Sequence, residues 1–174
     1  MLSNIVVAVD GSDHAQNAQK VAIDLALKYG SKLTFIHVLT HDHPSDDVKR
    51  MAEVEHLVEP EVAQTIVPGS APLIIGGMSG ILSSGGSETR LIVALGKKIL
   101  TGANDKAKAS GVNDVVTEMR SGDYANCILS MATDSGADMI VMGRRGLNTM
   151  QGFVTGSVSH KVSQRASCSV LTVK

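Results

Sequence analysis

The chain has 174 residues, enough for one domain with a sizeable core, and its 43% hydrophobic and 19% charged residues are those of a soluble globular protein. A net charge of −1 offers no electrostatic basis for binding nucleic acid or an anionic membrane. Aromatics are only 2%, with no Trp, so the core must come from Val, Ile, Leu, Ala and Met, and a base-stacking surface for single-stranded nucleic acid is not expected. Cys127 and Cys168 lack metal spacing and read as small buried thiols, compatible with a reducing compartment. The chain opens directly on a strand pattern and no window is long and apolar enough to span a bilayer, so a cytoplasmic location is expected.

Asn4 to Val9 is a continuous β-branched run, the pattern of a central parallel strand. It ends at Asp10-Gly11-Ser12, which puts Asp10 at the carboxyl end of a strand, where open α/β sheets bind ligands. Two structural roles compete there: Asp10 bonding its own turn, or Ser12 and Asp13 capping the next helix. Ala15, Ala18, Val21, Ala22, Leu25 and Ala26 recur at helical spacing and predict a helix from Asp13 to Tyr29, stopped by Gly30. Lys32 to Leu39 is the second strand, and His37 within it reads as a core or strand-end histidine in preference to a ligand or acid–base group.

His41, Asp42, His43, Asp46 and Asp47 follow, but no ligand set is spaced to converge and Pro44 sets a turn. A solvated loop ending in helix caps is expected there, then a helix through Val48, Met51, Ala52, Val54, Glu55 and Leu57 up to Pro60. From Pro60 to Glu88 an apolar segment is broken by Gly69, Gly76, Gly77, Gly80, Gly85 and Gly86; a flexible lid, a partner-docking arm and an added hairpin all fit it. Leu91, Leu95, Ile99 and Leu100 predict a helix from Glu88 to Ser110, weakened by Gly96 and Gly102. Val112 to Met119 is the third strand, and Tyr124 to Asp134 a helix with Ile128, Leu129 and Met131 inward, ended by Gly136. Asp138 to Met142 is the fourth strand. Strands alternate with helices throughout, the pattern of a parallel, doubly wound sheet.

The fourth strand runs into Gly143-Arg144-Arg145-Gly146, a polar loop, Gly156-Ser157-Val158 at the head of a helical pattern, and a last strand from Ser169 to Val173. A strand that feeds a glycine-rich loop and then a helix N-terminus can hold phosphate on backbone N–H groups, with the helix dipole favouring negative charge. Two residues separate Gly143 from Gly146 and nine separate Gly146 from Gly156. This spacing resembles the nucleotide-binding signature Gly-x2-Gly-x9-Gly-Ser/Thr of the universal stress protein family, in its ATP-binding subgroup. The resemblance extends to Val158-Ser159-His160-Lys161-Val162, to Cys168-Ser169-Val170-Leu171-Thr172-Val173, and to Ile5-Val6-Val7-Ala8-Val9-Asp10-Gly11-Ser12 at the other end of the chain. Ser84-Gly85-Gly86-Ser87-Glu88 also resembles the Ser-Gly-Gly-x-Asp-Ser loop of ATP pyrophosphatases; that loop belongs after the first strand, and Glu88 stands where Asp is required, so it reads as linker and helix cap.

The family resemblance implies a Rossmann-like, five-stranded parallel sheet of order 3-2-1-4-5, of the adenine nucleotide alpha hydrolase-like kind. It forms a single domain over 1–174 with a long insertion at about 60–88. The implied ligand is ATP, or ADP or AMP, with Mg2+ accompanying a triphosphate. The implied site comprises Val9, Asp10, Gly11, Ser12, His37, Val38, Met142, Gly143, Arg144, Arg145, Gly146, Gly156, Ser157, Val158 and Ser159. Asp10 lies beside the nucleoside, and backbone groups of Val38 and its neighbours read the adenine edge. Gly143 and Gly146 let the backbone pass close to ribose and phosphates, Gly156 allows a tight entry to the last helix, and Ser157 and Val158 meet phosphate. Ser157 can equally be a simple cap, and Arg144 and Arg145 either face phosphate or are solvated. A homodimer through the last strand, with a tetramer as the next level, is implied, as is an unidentified regulated protein. No Gly-x4-Gly-Lys-Ser/Thr loop is present, so the chain reads as a nucleotide-dependent regulator of stress response more than as an efficient enzyme. The alternatives are a stress protein acting by contact without nucleotide, and a slow ATPase.

Overall fold

The computed structural model describes residues 1–39, 87–147 and 156–174. The expectations for 40–86, including the His41/His43 loop, the helix before Pro60 and the glycine-broken segment, lie outside the described residues, as does the polar loop 148–155. The chain divides into two compact units, Met1–His43 with Gly96–Lys174, and Pro44–Leu95. Of the second, only the opening of a helix is described.

Element order is β1 (Asn4–Ala8), α1 (Asp13–Tyr29), β2 (Lys32–Leu39), α2 (Ser87–Ala109), β3 (Val115–Ser121), α3 (Tyr124–Asp134), β4 (Met139–Gly143), α4 (Ser157–Arg165) and β5 (Ser169–Val173). The five strands form one parallel sheet of order β3-β2-β1-β4-β5. In register, Ala8 lies opposite Ile36 on one side and Met142 on the other, so β1 and β4 end together at the point where the winding reverses.

Alternation along the strands builds two cores. Ile5, Val7, Val9, Leu33, Phe35 and Val141 face α1, through Ala18, Ala22, Ile23 and Ala26, and the second half of α2, through Leu100, Ala103 and Ala107. Val6, Ile36, Val38, Ile140 and Met142 face Ala125, Ile128, Met131 and Ala132 of α3 and Val162 of α4. Val6 and Val7 are both 0% exposed although they point in opposite directions, which is why β1 is an unbroken apolar run. Each such side chain contributes about 1.5–3 kcal/mol of burial. On α1, Ile23 and Gln19 are buried while Val21 is only partly so. Gln19 is paid no penalty for its burial, because its Nε2 donates to the Ala103 carbonyl at 3.1 Å.

The third strand begins later than the periodicity predicts. Val112 belongs to the turn that ends α2, not to β3. Its N–H donates to Ala107 O (3.1 Å) and the Gly111 N–H to Lys108 O (2.9 Å), the paired bonds of a Schellman turn. Gly111 supplies the left-handed residue that turn needs, at φ +100°, and buried Val112 its apolar contact. Pairing with β2 starts at Val115, opposite Leu33.

At the opposite end of the sheet, the Asp138 carboxylate accepts from the Ser3 and Asn4 N–H groups at 2.6 and 2.9 Å, clamping the start of β1 to β4. These bonds hold its pKa below the ordinary carboxylate value. Cys127 and Cys168 are free and partly buried, and burial pushes both thiols up, away from reactivity.

Candidate functional site

The site is built at the ends of β1 and β4. After Val9 the chain turns sharply: Asp10 Oδ1 accepts from the Ser12 N–H at 3.0 Å and from the Ser12 hydroxyl at 2.6 Å. Gly11 makes the turn possible with φ +86°. The same Ser12 oxygen accepts from Ala15 N–H at 3.2 Å and caps α1. Both structural roles weighed for this turn are therefore present together, and they leave the second carboxylate oxygen of Asp10 pointing at the β4 loop. A Cβ added to Gly146 would stand 2.6 Å from Asp10 Oδ2. The two ends of the chain meet there.

Gly143 has a different neighbour. A Cβ at this position would lie 2.9 Å from the backbone of both His14 and Ala15, so the first turn of α1 is seated on it. The next residue is held on both sides. Arg144 N–H donates to Val173 O at 2.7 Å, and Arg144 O accepts from Gly156 N–H at 2.9 Å and from the Ser159 hydroxyl at 2.8 Å. Ser159, 2% exposed, thus locks the head of α4 to the end of β4. Gly156 is the cap residue of α4 and, having no side chain, offers no side-chain cap. The first-turn N–H groups of Ser157, Val158 and Ser159 are presented by a helix whose dipole favours an anion.

Arg144 and Arg145 are partly buried rather than solvated. The Nε of Arg144 is buried and has no hydrogen-bond partner among the described residues, and the same holds for His14 Nδ1. Met142 is buried at the end of β4 in the α3/α4 core, to which Val38 of β2 also belongs. Ser157 is exposed at the mouth of the helix. His37 is set apart from the loop by its orientation. Its Nδ1 lies 2.8 Å from Val9 O, and its ring packs where a Cβ of Gly96 would be, 2.7 Å from Cδ2. Burial lowers its pKa, against the opposing effects of the Val9 carbonyl and the Asp10 charge.

Two positions near the site carry no motif in the sequence. His14 follows the cap of α1 and carries no motif of its own; only the packing on Gly143 brings it to the loop. Gly96 was visible as a glycine inside a helical pattern, which usually has a packing reason. Gly102, by contrast, has nothing within 4 Å of its missing Cβ.

The model of the Universal stress protein family matches residues 1–174. The chain belongs to the universal stress protein family. Universal stress protein YxiE of Bacillus subtilis (strain 168) is 31% identical over 175 residues, covering 100% of both chains. Among solved structures, universal stress protein UspA from Lactobacillus plantarum has the same fold, with a TM-score of 0.70 at 20% identity over 99% of this chain and 98% of that one. Two further universal stress proteins of this fold were solved with nucleotide. One is a complex with cAMP (TM-score 0.60, 23% identity, 99% and 96% of the two chains), the other an Archaeoglobus fulgidus protein with dAMP (TM-score 0.59, 20% identity, 100% of both).

Proposed function

We propose that this universal stress protein binds an adenine nucleotide, ATP or its products ADP and AMP, in the crevice between the ends of β1 and β4, and that the bound nucleotide acts as a regulatory signal in stress response. The observation that carries the reading is the approach of the Asp10 carboxylate to Gly146, which makes one crevice of two motifs from opposite ends of the chain. The residues present fit such a ligand: one carboxylate at the strand end, a buried Arg144 Nε in want of an acceptor, and a helix N-terminus without a side-chain cap. The cAMP and dAMP complexes of its fold relatives support an adenine base.

In this reading Val9 to Ser12 flank the nucleoside, backbone groups at Val38 meet the adenine edge, Met142 to Gly146 line the ribose side, and Gly156 to Ser159 present N–H groups to phosphate. With a triphosphate, Mg2+ would accompany the ligand and offset its phosphate charge. The protein works in the cytoplasm as a homodimer through β5, with further pairing to a tetramer, and passes its nucleotide state to a protein partner.

The first test is to purify the protein without added nucleotide, denature it, and identify what is released by chromatography and mass spectrometry. About one adenine nucleotide per chain is expected, from the crevice between β1 and β4. A protein that is empty and also fails to bind ATP with magnesium in calorimetry overturns the reading. Asp10→Ala and Gly156→Val are each expected to weaken binding by about tenfold or more, with folding checked by circular dichroism. Wild-type affinity in both variants would place the ligand elsewhere.

A further inference from the structure

We infer that His37 is a positioning residue for the nucleoside crevice: its ring holds the Val9 carbonyl, the last peptide before Asp10, and so fixes where the Asp10 carboxylate stands. The inference rests on the nucleotide-binding reading for its ligand, but not for its geometry.

A carbonyl oxygen only accepts, so the 2.8 Å contact makes Nδ1 the protonated nitrogen of the neutral ring and leaves the lone pair on Nε2. The Val9 N–H is held as well, by Ile36 O at 2.9 Å, one residue beyond the last register pair of β1 with β2. Val9 is thus fastened by main chain at its nitrogen and by the imidazole at its oxygen, where the β1–β2 ladder has run out. Rotation of the Val9–Asp10 peptide would move the Asp10 Cα, the bonds from Asp10 Oδ1 to Ser12, and the approach of Oδ2 to Gly146 together.

On the side away from Val9 the ring lies against α2 at Gly96. A Cβ on Gly96 would lie 2.7 Å from His37 Cδ2, 3.1 Å from Nε2 and 3.0 Å from Met119 Cε. Glycine within a helix costs about 1 kcal/mol relative to alanine, and the seat for this ring is the physical reason it stands at position 96. A histidine that merely filled the core would need neither the carbonyl contact nor a glycine behind it.

The experiment compares wild type, His37→Asn, His37→Leu and Gly96→Ala. Asn keeps a donor near the Nδ1 position, Leu fills the space without one, and Ala at 96 pushes the ring. Adenine nucleotide affinity is read by calorimetry, and the Ser12 amide, which reports the Asp10 carboxylate directly, by its 15N–1H resonance and hydrogen exchange. His37→Leu and Gly96→Ala are expected to lose about five- to tenfold in affinity, as for one hydrogen bond, and to shift and deprotect the Ser12 amide. His37→Asn is expected to stay within about twofold on the same scale. In an Asp10→Ala background, His37→Leu is expected to cost nothing further. An unchanged Ser12 amide in His37→Leu, or losses that add fully to those of Asp10→Ala, overturns the proposal. If the wild type binds no adenine nucleotide, the functional reading fails, and the Ser12 amide alone decides whether His37 positions Asp10.

Discussion

Two glycines of one loop differ in what a methyl group would strike, and this separates ligand binding from folding at single positions. At 146 the obstacle is the end of a side chain, Asp10 Oδ2 at 2.6 Å, which can turn away. Gly146→Ala is therefore expected to lower nucleotide affinity about tenfold while costing about 1 kcal/mol of stability, the scale of one rearranged hydrogen bond. Calorimetry and urea denaturation on one preparation check both halves. His37 yields a pH prediction. Its folded pKa is lowered by burial, so the folded state binds fewer protons than the unfolded chain between that value and the ordinary one. The stability it contributes is full above about pH 6.5 and is lost as pH falls through the folded value. Denaturation midpoints at pH 7.5 and 5.5 should fall more in wild type than in His37→Asn; parallel falls would contradict this. Much of the candidate site could be read from residue types, because Asp10, the three glycines and Ser157 carry motif spacing. The reasons for them could not. That Gly143 makes room for α1, that Ser159 rather than Ser157 ties loop to helix, and that His37 turns towards Val9 are facts of packing between distant segments.

At the scale of elements, α1 is placed by its first turn. Gly143→Ala would bring a methyl to 2.9 Å from main-chain atoms of His14 and Ala15, which cannot rotate out of the way. A loss of about 1–3 kcal/mol is expected, the usual cost of overpacking, seen as an earlier urea midpoint with unchanged slope. The comparison with Gly146→Ala is the informative one: the same chemical change should act on stability at 143 and on affinity at 146. The strands were legible because buried parallel strands read as apolar runs and three helices end at glycine. The start of β3 was not, because Val112 satisfies a strand pattern and a Schellman turn equally well. Only the bond to Ala107 distinguishes them. The order Ala-Ser-Gly-Val, a glycine followed by an apolar residue at a helix end, was the available signal.

At the scale of the molecule, β3 and β5 are the outermost strands of the sheet among the described residues. β5 is short, its Val170, Leu171 and Val173 are only partly buried, and among the described residues only β4 pairs with it. If a second copy pairs there, Thr172, which is exposed, brings its counterpart close across a two-fold axis. Thr172→Asp is then expected to shift sedimentation from dimer to monomer while changing monomer stability by no more than about 0.5 kcal/mol; an unchanged dimer would exclude this edge. The fit of Asp10 against Gly146 also has a consequence in the history of the chain. Positions 10 and 146, far apart in sequence, share one small volume, so a change at one alters what fits at the other. A relative carrying alanine or serine in place of Gly146 should carry a shorter residue in place of Asp10, and on the nucleotide-binding reading, recombination that splits the two segments should yield folded proteins that no longer bind nucleotide.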